Sequence, residues 1–125
     1  MMSDQTFKEL RHPTQCELWE KPELVATKVS DRFETVESFV DESHLSRALL
    51  KCRECGQLYF FEFYENVDWK GGDDAQYSTY IPVEDRSDIE TMKEGSIYDL
   101  FYFTPRLQWD HKTDAPGSTV KWIGK

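Results

Sequence analysis

Gln57-Leu58-Tyr59-Phe60-Phe61-Glu62-Phe63-Tyr64 is the stretch from which the rest of the chain is read. It is a nearly unbroken aromatic and aliphatic run, too short for a well-formed helix and rich in strand formers. The run is expected to be a central strand, largely buried on both faces because its apolar residues do not alternate with polar ones.

Working toward the C-terminus, Asn66 to Gln76 contains Gly71-Gly72-Asp73-Asp74, a strong turn signal, and Tyr77 to Val83 is strand-like. Tyr77, Thr79, Ile81 and Val83 fall on one face of that strand. The two strands are expected to form an antiparallel hairpin around a long acidic loop. Ser87 can cap a short helix from Asp88 to Lys93, which Gly95 ends. Ser96-Ile97-Tyr98-Asp99 has spacing related to a capping box, although that motif prefers Glu or Gln at its far position. A second short helix is expected to run to Tyr102, with Pro105 stopping it. Asp110 to Ser118 reads as a loop and Thr119 to Ile123 as a last short strand.

Toward the N-terminus, Glu17 to Val29 is interrupted by Pro22 and suits two short extended pieces. Between Thr35 and Leu50 the apolar residues fall mostly at helical spacings, with Asp41, Glu42 and Ser43 as a fresh N-cap, which predicts a helix from Ser43 into Leu50. The expected fold class is α+β: one domain spanning residues 1–125, an antiparallel sheet and a few short helices, with the first few residues frayed.

The 125-residue length fits one core, since domains run to about 100–150 residues. Eight Phe, six Tyr and four Trp supply it, each large buried side chain contributing roughly 1.5–3 kcal/mol, so disulfides are not required. No apolar run approaches the ~18–20 residues of a membrane span, and MMSDQTFKEL lacks the basic start and apolar stretch of a secretion signal. The expected location is the cytosol. Three cysteines in a reducing compartment argue for thiols, a metal site or inert packing.

The formal net charge is −9 and is unevenly placed. Residues 62–94 carry ten acids against three bases, and residues 17–42 eight against three. Such a field repels phosphate backbones and anionic lipid, so neither nucleic acid nor membrane is an expected partner. A basic protein is the natural complement.

One motif carries recognisable chemistry: Cys52-Arg53-Glu54-Cys55-Gly56, directly before the aromatic run. Two thiolates separated by two residues can grip one ion from a tight turn, and Gly56 permits the backbone conformation that frees amides to donate to sulfur. The motif resembles the first half of a zinc ribbon, over about ten residues, and departs from that family in having no second C-x-x-C. Cys16 is the available third sulfur, and a fourth ligand would come from His12, His44, His111 or a carboxylate. His44 is preferred because it sits on the predicted helix leading into the knuckle. A Cys16, Cys52, Cys55, His44 site would hold structural zinc.

A thiol-redox reading fits less well. Thioredoxin-like sites start a helix at the first cysteine, whereas here a glycine and a strand follow. G-x-S-x-G, H-E-x-x-H, phosphate-loop and dinucleotide motifs are all absent. Glu62 and Glu65 fall on opposite faces of a strand and read as solvated acids. Asp68, Asp73 and Asp74 lack the ligand rhythm of an EF-hand.

The functional expectation is therefore a non-catalytic acidic protein-binding domain. In general character the chain is similar to the small acidic immunity proteins with which bacteria block basic toxins. That resemblance implies steric and electrostatic blocking, with Asp68, Asp73, Asp74, Glu84 and Asp85 steering a basic partner and Trp69 or Tyr77 anchoring it. The alternatives are a zinc-stabilised module with a housekeeping role and an enzyme that uses a metal or thiol.

Overall fold

In the computed structural model, which describes residues 8–26, 29–66, 75–111 and 118–125, the aromatic run is a strand near the middle of a six-stranded antiparallel sheet. In chain order the elements are β1 (Lys8–Glu9), α1 (Glu17–Glu20), a 3₁₀ turn (Pro22–Ala26), α2 (Val29–Arg32), β2 (Phe33–Asp41), β3 (Leu45–Cys52), β4 (Leu58–Asn66) and β5 (Ala75–Val83). Then come α3 (Arg86–Glu94), α4 (Ile97–Leu100), β6 (Phe103–Thr104), β7 (Arg106–His111) and β8 (Ser118–Ile123). The sheet runs β2-β3-β4-β5-β7-β8, so its neighbours are successive strands apart from the excursion through α3, α4 and β6. β6 pairs with β1 in parallel beside it. Among the described residues no helix is long and apolar enough to cross a membrane.

The chain is a single small domain that is mostly antiparallel sheet, with short helices covering parts of both faces. On one face Tyr59, Tyr80 and Leu107 pack against Cys16, Leu18 and Val25 of the N-terminal helical turns and against Phe33, which opens β2. On the other, Leu49, Phe60 and Ile81 pack against Ile89 and Met92 of α3 and Leu100 of α4. β4 feeds both clusters, as a run without polar alternation requires.

The predicted hairpin is present: β4 and β5 pair antiparallel from Leu58↔Val83 to Asn66↔Ala75, while the Gly71-Gly72 turn lies outside the described residues. The predicted helix at Ser43–Leu50 is instead β3, and an additional strand, β2, precedes it. Eight residues of helical spacing yield here to a full ladder against β4, because β preference is set by the neighbouring strand as much as by local pattern. The two extended pieces expected at Glu17–Val29 are likewise corrected to α1 and the 3₁₀ turn opened by Pro22, a residue suited to the first position of a helical turn. α3 starts two residues earlier than expected. Its cap is Asp85, whose carboxylate accepts from the Ser87 backbone N–H. α4 does carry the capping box, with Asp99 as the reciprocal acceptor, and ends at Leu100. Asp110 and His111, expected in a loop, extend β7 against Gln76 and Tyr77.

Phe60 is fully buried between register partners Leu49 and Ile81. Phe60→Ala should cost about 3–5 kcal/mol, a large share of the ~5–15 kcal/mol that holds a domain together. Urea denaturation reads this directly, and an unchanged midpoint would show that the β4 core tolerates the cavity.

Candidate metal centre and the open sheet face

Cys52 closes β3, Cys55 lies in the turn to β4, and Cys16 is the N-cap residue of α1. The turn is fixed by the Gly56 N–H donating to the Cys52 carbonyl at 2.8 Å and the Cys52 N–H to the Gln57 carbonyl at 2.8 Å. Gly56 takes φ +81°, where a side chain is strained, so glycine is needed at this position. The three sulfurs all lie within 4.8 Å of one another, with Cys16 Sγ and Cys52 Sγ 4.0 Å apart. Bonds of ~2.3 Å to one tetrahedral ion imply sulfur separations of about 3.8 Å, so the cluster can hold a metal ion with small adjustment.

Cys16 and Cys52 are buried and Cys55 is half-buried. Burial opposes ionisation of Cys52, but donation from the backbone N–H groups of Cys55 and Glu54, with the neighbouring thiols, outweighs it and lowers its pKa. Burial raises Cys16, and burial with the adjoining thiols pushes Cys55 up to about 12. Tyr59 rises from the sheet beside Cys16; its hydroxyl is buried and, among the described residues, meets no group at hydrogen-bond distance and angle, the Cys16 thiol being the neighbour that interacts with it.

His44 does not join this group. With β3 a strand, it sits in the β2–β3 turn at the opposite end of β3 from Cys52, roughly 25 Å away at ~3.3 Å per residue, and bonds Glu65 at 2.8 Å. The predicted helix would have carried it toward the cysteines; the strand carries it away. His12 bonds Glu9 and lies against the Trp19 ring in a tilted arrangement, and His111 ends β7.

Of the expected partner-binding residues, Tyr77, Glu84 and Asp85 are among those described. Asp68, Trp69, Asp73 and Asp74 lie outside the described residues. Glu84 pairs with Arg11 at 2.7 Å, and Asp85 is occupied capping α3. Tyr77 is near the other end of β5, about 23 Å from Glu84 along the strand, so it does not share their surface.

Tyr77 instead borders a concave pocket of about 620 Å³ on the half of the sheet that α3 and α4 leave open. Its floor is a row of polar side chains crossing the ladder: Glu62, Thr79 and Gln108 are cross-strand neighbours and all are buried. Thr79 donates to Gln108 at 2.9 Å, and Gln108 donates to Asp110 at 2.8 Å. The walls include Tyr64, Tyr77, Tyr98 and Phe101, the first two with ring centroids 6.3 Å apart and nearly parallel. Arg106 supports the rim by donating to the Phe101 and Phe103 carbonyls and covering the Phe101 ring.

Glu62 is therefore no solvated acid. It is only 4% exposed and receives Arg47 through Nε at 2.9 Å and a terminal nitrogen at 2.8 Å. The other Arg47 terminal nitrogen donates to the Gly95 carbonyl at 2.6 Å and reaches the Met92 and Lys93 carbonyls. Sequence reading missed Arg47 because it fell within a predicted helix. A strand assignment would have placed Arg47 and Glu62 on inward-facing positions, where charge demands a partner.

Comparison with protein-family models, with curated proteins and with solved structures gives no match to this chain.

Burial raises the Glu62 pKa against the opposing pull of Arg47. A carboxyl raised in this way stabilises the fold below its unfolded pKa and loses that contribution as pH rises through the folded value. Arg47→Met should raise the folded value further, so its stability deficit should be smallest in acid and reach about 3–5 kcal/mol at neutral pH. Urea melts between about pH 4 and about pH 8 read the trend, and adding Glu62→Leu should flatten it.

Proposed function

We propose that this chain is a non-catalytic binding domain for basic protein partners, of the immunity-protein kind, with its scaffold stapled by one zinc ion at Cys16, Cys52 and Cys55. The observation that carries the partner reading is Asp110. Its carboxylate borders the open pocket, lies across the ladder from Tyr77, and is paired with no cation among the described residues. A carboxylate beside tyrosine faces suits a Lys or Arg head group from a partner, which would gain both charge pairing and cation–π contact. The overall charge of −9 would speed encounter with such a partner, while the tyrosines would slow its departure. Tyr77 is the residue common to this surface and the sequence expectation.

Zinc is the ion that an all-sulfur cluster in a turn suits best, because thiolates favour soft or borderline cations and a C-x-x-C turn supplies two of them. Bound there, it would tie the N-terminal turns to the β3–β4 turn and contribute to folding directly. Untagged protein prepared with reductant should contain near-stoichiometric zinc by elemental analysis, and Cys16→Ser should lose most of it. Wild-type protein free of metal would end the staple reading without touching the pocket.

The pocket is tested by titrating isotope-labelled protein with a short Lys/Arg peptide and following amide shifts. Shifts should concentrate at Tyr64, Tyr77 and Asp110 and weaken with salt, and Asp110→Asn should cut affinity about tenfold, the effect of ~1.4 kcal/mol. Shifts spread evenly over the acidic surface would mean that charge alone attracts the peptide.

A further inference from the structure

Tyr59 is 0% exposed, in the same apolar cluster as Cys16 and Cys52, and its ring packs edge-on against Phe33. Phenylalanine would fill that volume as well, and aromatic residues are plentiful in this core. The hydroxyl therefore needs its own explanation. Without a well-formed hydrogen bond it costs about 1–3 kcal/mol of desolvation, and none of the described residues meets it at hydrogen-bond distance and angle. It lies beside Cys16, whose neutral thiol is a weak acceptor.

We propose that Tyr59 is the outer-shell partner of the metal centre: when Cys16 binds zinc as a thiolate, the phenol donates its hydrogen bond to Cys16 Sγ. This rests on the zinc reading above and assigns Tyr59 a positioning role within it. Thiolates bound to a metal are strong acceptors, and outer-shell donors of this kind orient the ligand and temper its charge. β4 is well placed to supply the donor, because Tyr59 is the register partner of Leu50, two residues before Cys52 on the adjacent strand. The central strand would then serve core and metal centre with one side chain. The polar atom that is unsatisfied without metal becomes satisfied with it.

The proposal separates from a packing role through opposite effects on two states. Tyr59→Phe removes an unpaired hydroxyl from the zinc-free protein, so its zinc-free melting temperature should equal or exceed that of wild type. Its zinc affinity, measured by competition with a chelator, should fall about 10–100-fold. Tyr80→Phe changes the other fully buried tyrosine of this cluster and should leave zinc affinity unchanged. Equal affinities for wild type and Tyr59→Phe would overturn the assignment while leaving the zinc staple standing; wild-type protein that takes up no zinc would overturn both. Should Tyr59→Phe fail to fold, ultraviolet resonance Raman of wild type provides the reading. Zinc loading should change the ring-doublet ratio of one tyrosine toward that of a strong donor, and an unchanged spectrum would overturn the proposal.

Discussion

The buried ion pair between Arg47 and Glu62 joins β3, β4 and the end of α3. It links β3 to β4 through their side chains, and the remaining Arg47 nitrogen gathers the carbonyls of Met92, Lys93 and Gly95 at the end of α3. Those carbonyls lie at the helix terminus, where, among the described residues, only that of Met92 is also met by the chain itself, through the Gly95 N–H, so one guanidinium serves as both ion-pair partner and acceptor-satisfying group at the helix end. The desolvation of two charges in a pocket this closed is expensive, and an apolar pair could match it in stability. What an apolar pair cannot supply is a directional seat for α3. Ile89, Met92 and Leu100 can slide over Leu49, Phe60 and Ile81, whereas three carbonyls meeting one guanidinium fix where the helical layer stops.

Where that layer stops, the pocket begins. The row Arg47, Glu62, Thr79 and Gln108 runs from under α3 to the open half of the sheet, each residue opposite the next across the ladder. Such a row is tolerated in a sheet interior only if each member has a partner, and here Arg47 holds Glu62 while Thr79, Gln108 and Asp110 bond in sequence. Asp110 is the end of the chain of bonds and the member that faces outward with an amide as its described partner. The Arg47–Glu62 pair in the core and the Thr79–Gln108–Asp110 chain that reaches the rim lie side by side in one row of register partners.

β4 and its hairpin with β5 were legible because every local signal agreed, from the aromatic run to the turn residues. The cysteine cluster was legible for a similar reason: three cysteines in the chain limit the choices, and Cys16 had no competitor as third sulfur. The β2–β3 pair was not. Val40, Leu45, Ala48, Leu49 and Leu50 satisfy helical spacing as well as strand pairing, and the deciding factor is the presence of β4 alongside, which a local window does not contain. That single misassignment removed both Arg47 and His44 from their true places. The pocket is illegible in the sequence because its residues come from β4, β5, α4, β7 and β8, and no local signal marks β7 as a strand. Tyr77 could be picked out as an anchor only because it was an aromatic residue in an acidic segment.

The position of the cysteines follows from what the N-terminal segment lacks. α1 is four residues long and the 3₁₀ turn five, lengths at which helical hydrogen bonding does not sustain itself. Their hold on the sheet comes from Leu18 and Val25, from the Trp122 indole donating to the Leu18 carbonyl at 2.8 Å, and from Lys125 reaching the Trp19 carbonyl. The hydrogen bonds among these come from β8 and the residues after it, β8 being an edge strand at the opposite side of the sheet from β2. Cys16 meets Cys52 and Cys55 at the β3–β4 turn, so a crosslink through the sulfurs would span from the cap to the sheet's centre. It would add a crosslink to elements that are otherwise held by packing in the same buried cluster, and would do so without the long helix that a sheet face otherwise recruits as its cover.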